Sequence, residues 1–141
     1  MIRIPIGLAV FTVQIALTGC SPAEPPVYPV TGTVTLADGK SAAGCVVEFS
    51  SQADGTKGMN ARGEVREDGT YQLTTTINGK EKAGAVAGPH KVVVVPPPAS
   101  SSGGSDSPTI LIRYADYNKS GLTFDVKPGE NNNYPIPLET K

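Results

Sequence analysis

From Val30 onward, apolar and polar residues alternate along the chain with a period of two. In VTGTVTL, Val30, Gly32, Val34 and Leu36 fall on one face of an extended strand, and Thr31, Thr33 and Thr35 fall on the other. CVVEFS places Cys45, Val47 and Phe49 on one side, and Tyr71, Leu73 and Thr75 share a face further on. LTFDV groups Leu122, Phe124 and Val126, and NYPIPL groups Tyr134, Ile136 and Leu138. HKVVVVP is a continuous β-branched run, which predicts a strand more buried than the others, ended by Pro96-Pro97-Pro98. No segment carries a helical stripe. Six or seven short strands at this spacing predict an all-β, antiparallel sandwich.

The punctuation between strands agrees with that reading. Asp38-Gly39 is a turn pair, and Asp68-Gly69 sits between two strands as a two-residue hairpin signal. Two stretches break the rhythm. INGKEKAGAVAGP, residues 77–89, reads as a Gly/Ala-rich connection, and PPPASSSGGSDSPT, residues 96–109, as a low-complexity mobile loop.

The first twenty residues follow a different rule. Arg3 precedes an apolar segment from Ile4 to Leu17, interrupted only by Thr12 and Gln14. That is the charged-then-apolar layout of a secretory signal, and the run is too short and too proline-marked (Pro5) for a spanning helix of about 20 residues. Where an ordinary signal ends in A-x-A, this one ends in Leu17-Thr18-Gly19-Cys20. The ending resembles the lipobox of bacterial lipoproteins. Small Thr18 and Gly19 let a peptidase close on the backbone, and the Cys20 thiol can be converted to a lipid thioether. The resemblance implies cleavage between Gly19 and Cys20, acyl (palmitate-like) chains on Cys20, and a membrane anchor. Ser21, in place of Asp, favours the outer membrane by the sorting rule of enteric bacteria. The domains expected are a signal peptide over 1–19, a lipidated Cys20 with a Pro-rich tether over 20–29, and a β-sandwich over 30–139.

Composition narrows the field. A chain of 141 residues has room for one domain. Its 16 Gly and 13 Pro disfavour helix, and its net charge of −1 gives no electrostatic footprint for nucleic acid. Two cysteines in an exported chain invite a disulfide, but lipidation of Cys20 removes that partner. Cys45 is then expected as a small buried residue.

PVTGTVTLADGKSAAGCVVEF, followed by REDGTYQLTT and AGPHKVVV, resembles the carboxypeptidase regulatory-like domain, a transthyretin-like (prealbumin-like) β-sandwich. The matching hallmarks are Gly32 and Val34, Asp38-Gly39-Lys40, Ala43-Gly44 with Val47 and Phe49, and Asp68-Gly69 with Tyr71. RYADYNKSGLTFDVKPGENNNYPIPL looks like the C-terminal half of small lipoproteins of this type, common in planctomycete-like bacteria. The resemblance covers about Val30 to Leu138 and implies a seven-stranded Greek-key fold without implying an activity. One departure precedes Tyr114, where members often carry Pro and Lys and this chain has Ile112 and Arg113. Independently of the family, Tyr71 should point inward with its hydroxyl reaching backbone at the end of the sandwich.

Candidate chemistry is sparse. His90 is the sole histidine, so any triad must be built on it; at the start of a strand it is expected to face solvent or cap a loop. Asp116-x-Asn118-x-Ser120-Gly121 matches the first half of a calcium loop. The twelfth position is Lys127, where a bidentate Glu is needed, so the segment reads as an Asx-rich turn, with a weak calcium site as the alternative. No Cys/His cluster has zinc spacing. Glu48, Glu64, Glu67, Asp68, Asp125 and Glu130 fall on polar faces and turns, as solvated surface would. With no Trp, the close pair Tyr114 and Tyr117 is the nearest thing to a sugar-binding platform.

The sequence therefore predicts a non-catalytic, lipid-anchored β-sandwich of the cell envelope, facing the periplasm or the exterior. It would act as a structural or protein-interaction module, with no metal, no cofactor and no nucleic-acid partner. The alternative is an envelope ligand-binding module for carbohydrate or peptide, with Tyr114, Tyr117 and Asn118 as contacts.

Overall fold

The computed structural model describes Gly19, residues 22–98 and residues 108–140. Within them the chain forms β1 (Val27–Tyr28), β2 (Val30–Leu36), β3 (Val46–Ser51), β4 (Asn60–Glu64), β5 (Thr70–Gln72) and β6 (Thr74–Ile77). There follow β7 (Lys80–Ala83), β8 (Ala85–Val86), β9 (Gly88–Val95), a 3-10 turn (Ile112–Ala115), β10 (Leu122–Val126), β11 (Asn132–Asn133) and β12 (Ile136–Leu138). The protein is nearly all β, in the arrangement of a sandwich.

One sheet runs β10-β9-β3-β4-β6-β7, antiparallel throughout. The other is built on β2, with β5 antiparallel on one side and β11 and β12 on the other. Alternate residues of both sheets point into one core: Val30 and Val34, Val47 and Phe49, Tyr71 and Leu73, Val92 and Val94, Ile136 and Leu138. Each such side chain contributes about 1.5–3 kcal/mol by leaving water. Leu122 and Phe124 of β10 are only half-buried, because β10 is an edge strand. The VVVV run is enclosed over its first three residues, while Val95 is exposed. Val92, Val93 and Val94 are all buried, because β9 lies between β3 and β10 and the 3-10 turn packs on it.

Several expectations change. The second sheet is mixed, since β11 and β12 pair with β2 in parallel, Asn132 with Val30 and Ile136 with Val34. Parallel neighbours need a long crossover, and here almost the whole chain supplies it. Pro135 and Pro137 are tolerated there because β12 is an edge strand. The strand segments number more than seven in the described residues, since short pairs form where loops were expected. Residues 80–86, expected as connection, form β7 and β8, and β7 closes on β6 with Ile77 opposite Lys80. Asn78 and Gly79 between them both have positive φ, 50° and 76°, the geometry of a type I′ hairpin turn.

The Asp68-Gly69 turn is also longer than two residues. Arg66 N–H donates to Thr70 O and Gly69 N–H to Arg66 O, enclosing Glu67, Asp68 and Gly69. Its outgoing strand, β5, crosses to the other sheet and pairs with β2, while β6 rejoins β4. The expected mobile loop lies largely outside the described residues.

Tyr71 is as predicted. It is buried, and its hydroxyl donates to Tyr134 O at 2.7 Å. The ring reaches that carbonyl by passing over Gly32, where a Cβ would lie 2.1 Å from Tyr134 O and 2.7 Å from the Tyr71 ring. The glycine of VTGTV is thus required by a close crossing inside the sandwich. Burial raises the pKa of Tyr71, so the phenol stays a donor.

Candidate functional site

The predicted lipidation site, Cys20, and most of the signal peptide lie outside the described residues; Gly19 is exposed. What the structure does describe is how the chain leaves that site. The stretch expected as a Pro-rich tether over 20–29 is bonded to the sandwich at Glu24. Glu24 accepts a hydrogen bond from Asn78 Nδ2 at 2.8 Å and pairs with Lys82 Nζ. The Lys82 and Asn78 bonds, with Lys80 nearby, hold the Glu24 carboxyl below its ordinary range. Three residues on, β1 pairs with β8, Val27 opposite Val86 and Tyr28 opposite Ala85. Tyr28 passes so close over Gly84 that a Cβ there would lie 2.1 Å from Tyr28 O. Val27 and Tyr28 therefore belong to the folded body, and the segment Glu24–Tyr28 is a strap along the β6–β7 hairpin. Sequence reasoning missed it because a two-residue strand among prolines has no periodicity to read.

The three candidate ligand contacts do not form one exposed platform. Tyr114 is 4 % exposed. Its hydroxyl accepts from the Glu139 backbone N–H at 3.1 Å and from Arg113 Nη2 at 3.2 Å, and the Arg113 guanidinium lies 5.0 Å from the ring centre. Arg113 also pairs with Glu139. Tyr114 thus clamps the C-terminal strand to the 3-10 turn. Tyr117 is half-buried and donates to Glu48, and its pKa is raised by burial first and by the Glu48 carboxylate second. Asn118 is exposed, and its Oδ1 accepts from Lys91 Nζ at 3.0 Å.

Asp116–Gly121 is held as an Asx turn. Asp116 Oδ1 accepts from Asn118 N–H at 2.8 Å, and Asp116 O accepts from Ser120 N–H at 2.8 Å. Ser120 is buried and donates through Oγ to Val92 O at 2.6 Å, riveting the loop to β9. Two of the three side chains needed for half a calcium loop are thus spent on backbone. Among the described residues no three of His, Cys, Asp and Glu gather at metal-binding distance.

His90 corrects its expectation. It is 2 % exposed and points into the core beside Phe49, with ring centres 5.7 Å apart. The reason is parity: His90 shares a face with Val92 and Val94 and lies opposite Ser51 and Phe124. Its Nδ1 lies 2.8 Å from Gly88 O, and its Nε2 has no hydrogen-bond partner. Desolvation lowers its pKa, against the smaller raising effects of Gly88 O and Asp125. No cysteine, serine or carboxylate is hydrogen-bonded to its ring among the described residues. Cys45 is buried as expected, and desolvation pushes its thiol up to about 11. Such a thiol is not a nucleophile near neutrality.

Glu64, Glu67, Asp68, Asp125 and Glu130 are exposed, whereas Glu48 is half-buried under Tyr117. Two shallow grooves mark the surface. One of about 340 Å³ is floored by Thr31, Thr33, Thr70 and Gln72. Another of about 400 Å³ runs between β9 and β10 past Lys91, Thr123 and Asp125. Tyr114, Tyr117 and Asn118 line neither. No helix among the described residues is long and apolar enough to cross a membrane. Compared with known proteins, the chain matches no family model, no curated protein and no solved structure.

Proposed function

We propose that the protein is a non-catalytic lipoprotein, anchored to a membrane of the cell envelope through acylated Cys20, whose β-sandwich serves as a structural or protein-interaction module. The observation that carries the reading is Leu17-Thr18-Gly19-Cys20 closing an apolar run that begins behind Arg3. A transthyretin-like topology for the body fits the roles taken by the hallmark residues. Gly32 gives way to the Tyr71 crossing, and Gly69 turns the chain into β5. The burial of His90 and Cys45 supports the non-catalytic reading. The ligand-binding alternative loses Tyr114 to the clamp on Glu139.

Cys20→Ser tests the reading. Metabolic labelling with a fatty-acid analogue should tag the native protein and leave the variant unlabelled. Equal labelling of the two, or none of the native protein, would refute the anchor. Crosslinking in the native envelope, followed by mass spectrometry, should then recover a protein neighbour. A glycan bound specifically by the native chain and lost in Tyr117→Ala would instead favour the ligand-binding module.

A further inference from the structure

We propose that Asn78-Gly79 is a self-modification site: deamidation of Asn78, restrained by Glu24, replaces the donor that holds the strap with a second carboxylate and loosens it. The proposal stands on the hairpin and the strap, and is independent of the anchor at Cys20.

The chemistry starts from the residue pair. The backbone nitrogen that follows an asparagine can attack the side-chain carbonyl carbon. A new bond from that nitrogen to Cγ closes a five-membered succinimide, and the Cγ–Nδ2 bond breaks. Ammonia leaves, carrying the proton that the attacking nitrogen gives up. Water then opens the ring at one carbonyl or the other, giving aspartate or isoaspartate. A glycine obstructs the attack least, because it has no Cβ. Asn78-Gly79 is the one Asn-Gly pair in the chain; Asn60, Asn118 and Asn131, Asn132 and Asn133 all precede residues with side chains.

The fold leaves this pair open. Asn78 and Gly79 are exposed at the tip of the β6–β7 hairpin. Among the described residues the Gly79 N–H has no backbone partner, and a Cβ built on Gly79 would meet nothing within 4 Å. The restraint comes from the strap. Asn78 Nδ2 donates to Glu24 Oε1 at 2.8 Å, which holds the amide toward Glu24.

The consequence falls on the same contact. Aspartate at position 78 keeps the turn, since Asp-Gly suits a type I′ hairpin as Asn-Gly does. Its carboxylate has no hydrogen to donate and sets a like charge against Glu24. Glu24 is left with Lys82, for which the new carboxylate competes. Isoaspartate adds a main-chain atom to a two-residue turn and so disturbs the pairing of Ile77 with Lys80 as well.

Ageing the folded protein tests the site. Native protein and Glu24→Ala are held at mildly alkaline pH, and their peptides are followed by mass spectrometry for the gain of an amide-to-acid exchange. Conversion should appear at Asn78 before any other asparagine, and several-fold faster in Glu24→Ala. Asn78→Asp stands for the aspartate product. In it, amide exchange at Val27 and Tyr28 should quicken several-fold while exchange in β9 stays at the native rate. The unchanged β9 shows that the sandwich is intact. A folded native protein that stays unconverted, or equal rates with and without Glu24, would overturn the proposal. So would native exchange at Val27 and Tyr28 in Asn78→Asp, or a quickening that extends to β9.

Discussion

The two edges of the six-stranded sheet are protected in opposite ways. At β7 the edge is short, charged and exposed, and a strap from the N-terminal segment lies along it through Glu24, Asn78 and Lys82. At β10 the edge turns apolar side chains inward. Phe124 stacks on Tyr134 at 4.7 Å, and both meet Phe49 edge-on, at 5.9 and 6.1 Å. Sheet edges invite pairing with other chains unless they are charged, covered or twisted away. The first edge is managed by charge and a cover, and the second by tying it across to the other sheet. An ion pair at the surface can open cheaply, whereas a packed aromatic cluster opens only with the fold.

Breaking the aromatic edge should have the largest effect. Gly32→Ala puts a methyl 2.1 Å from Tyr134 O, against backbone that has nowhere to move. A loss of about 3 kcal/mol or more is expected, read as a fall in the urea midpoint. Tyr71→Phe keeps the ring and removes the donor to Tyr134 O, and should cost about 1–2 kcal/mol in the same titration. A Gly32→Ala protein as stable as the native one would mean that the crossing is not tight.

His90, behind the same cluster, makes that edge sensitive to acid. Its folded pKa lies below the ordinary value of 6.5, so the native state binds fewer protons than the unfolded chain. Stability should be complete above pH 6.5 and decline as pH falls from there through the folded value. Glu24 and Asp68, also depressed, act only at lower pH, below their ordinary values of 4.5 and 3.8. His90→Leu should flatten the first decline and leave the second. An unchanged profile would show that His90 does not titrate with unfolding.

The charged edge should respond least. Glu24→Gln removes one side of an exposed pair, so the urea midpoint should stay in place. Amide exchange at Val27 and Tyr28 should quicken, while exchange in β9 stays as it was. Faster exchange in β9 as well would mean that the strap supports the core.

Much of the body was legible because period-two alternation is local. Val30/Val34, Val47/Phe49 and Ile136/Leu138 could be assigned inward from spacing alone, and so could Tyr71. The parity that buries Val92 and Val94 also buries His90, whose place at the start of its strand pointed instead to solvent. Asn78-Gly79 was a readable hairpin signal hidden inside a Gly/Ala-rich stretch. The parallel pairing of β11 and β12 with β2 joins residues about a hundred positions apart, which no local pattern encodes. Of the candidate site, the resemblance of Leu17-Thr18-Gly19-Cys20 to a lipobox lies in the linear string alone, the form in which a peptidase would read it. The burial of Tyr114 was not legible because its partner, the Glu139 amide, comes from the far end of the chain.

Intact-protein and N-terminal peptide mass spectrometry of material from the native membrane bears most directly on the account. The mature chain should begin at Cys20, carrying a thioether-linked diacylglyceryl group. A mature chain that starts elsewhere, or that starts at Cys20 with a free sulfur, would contradict it.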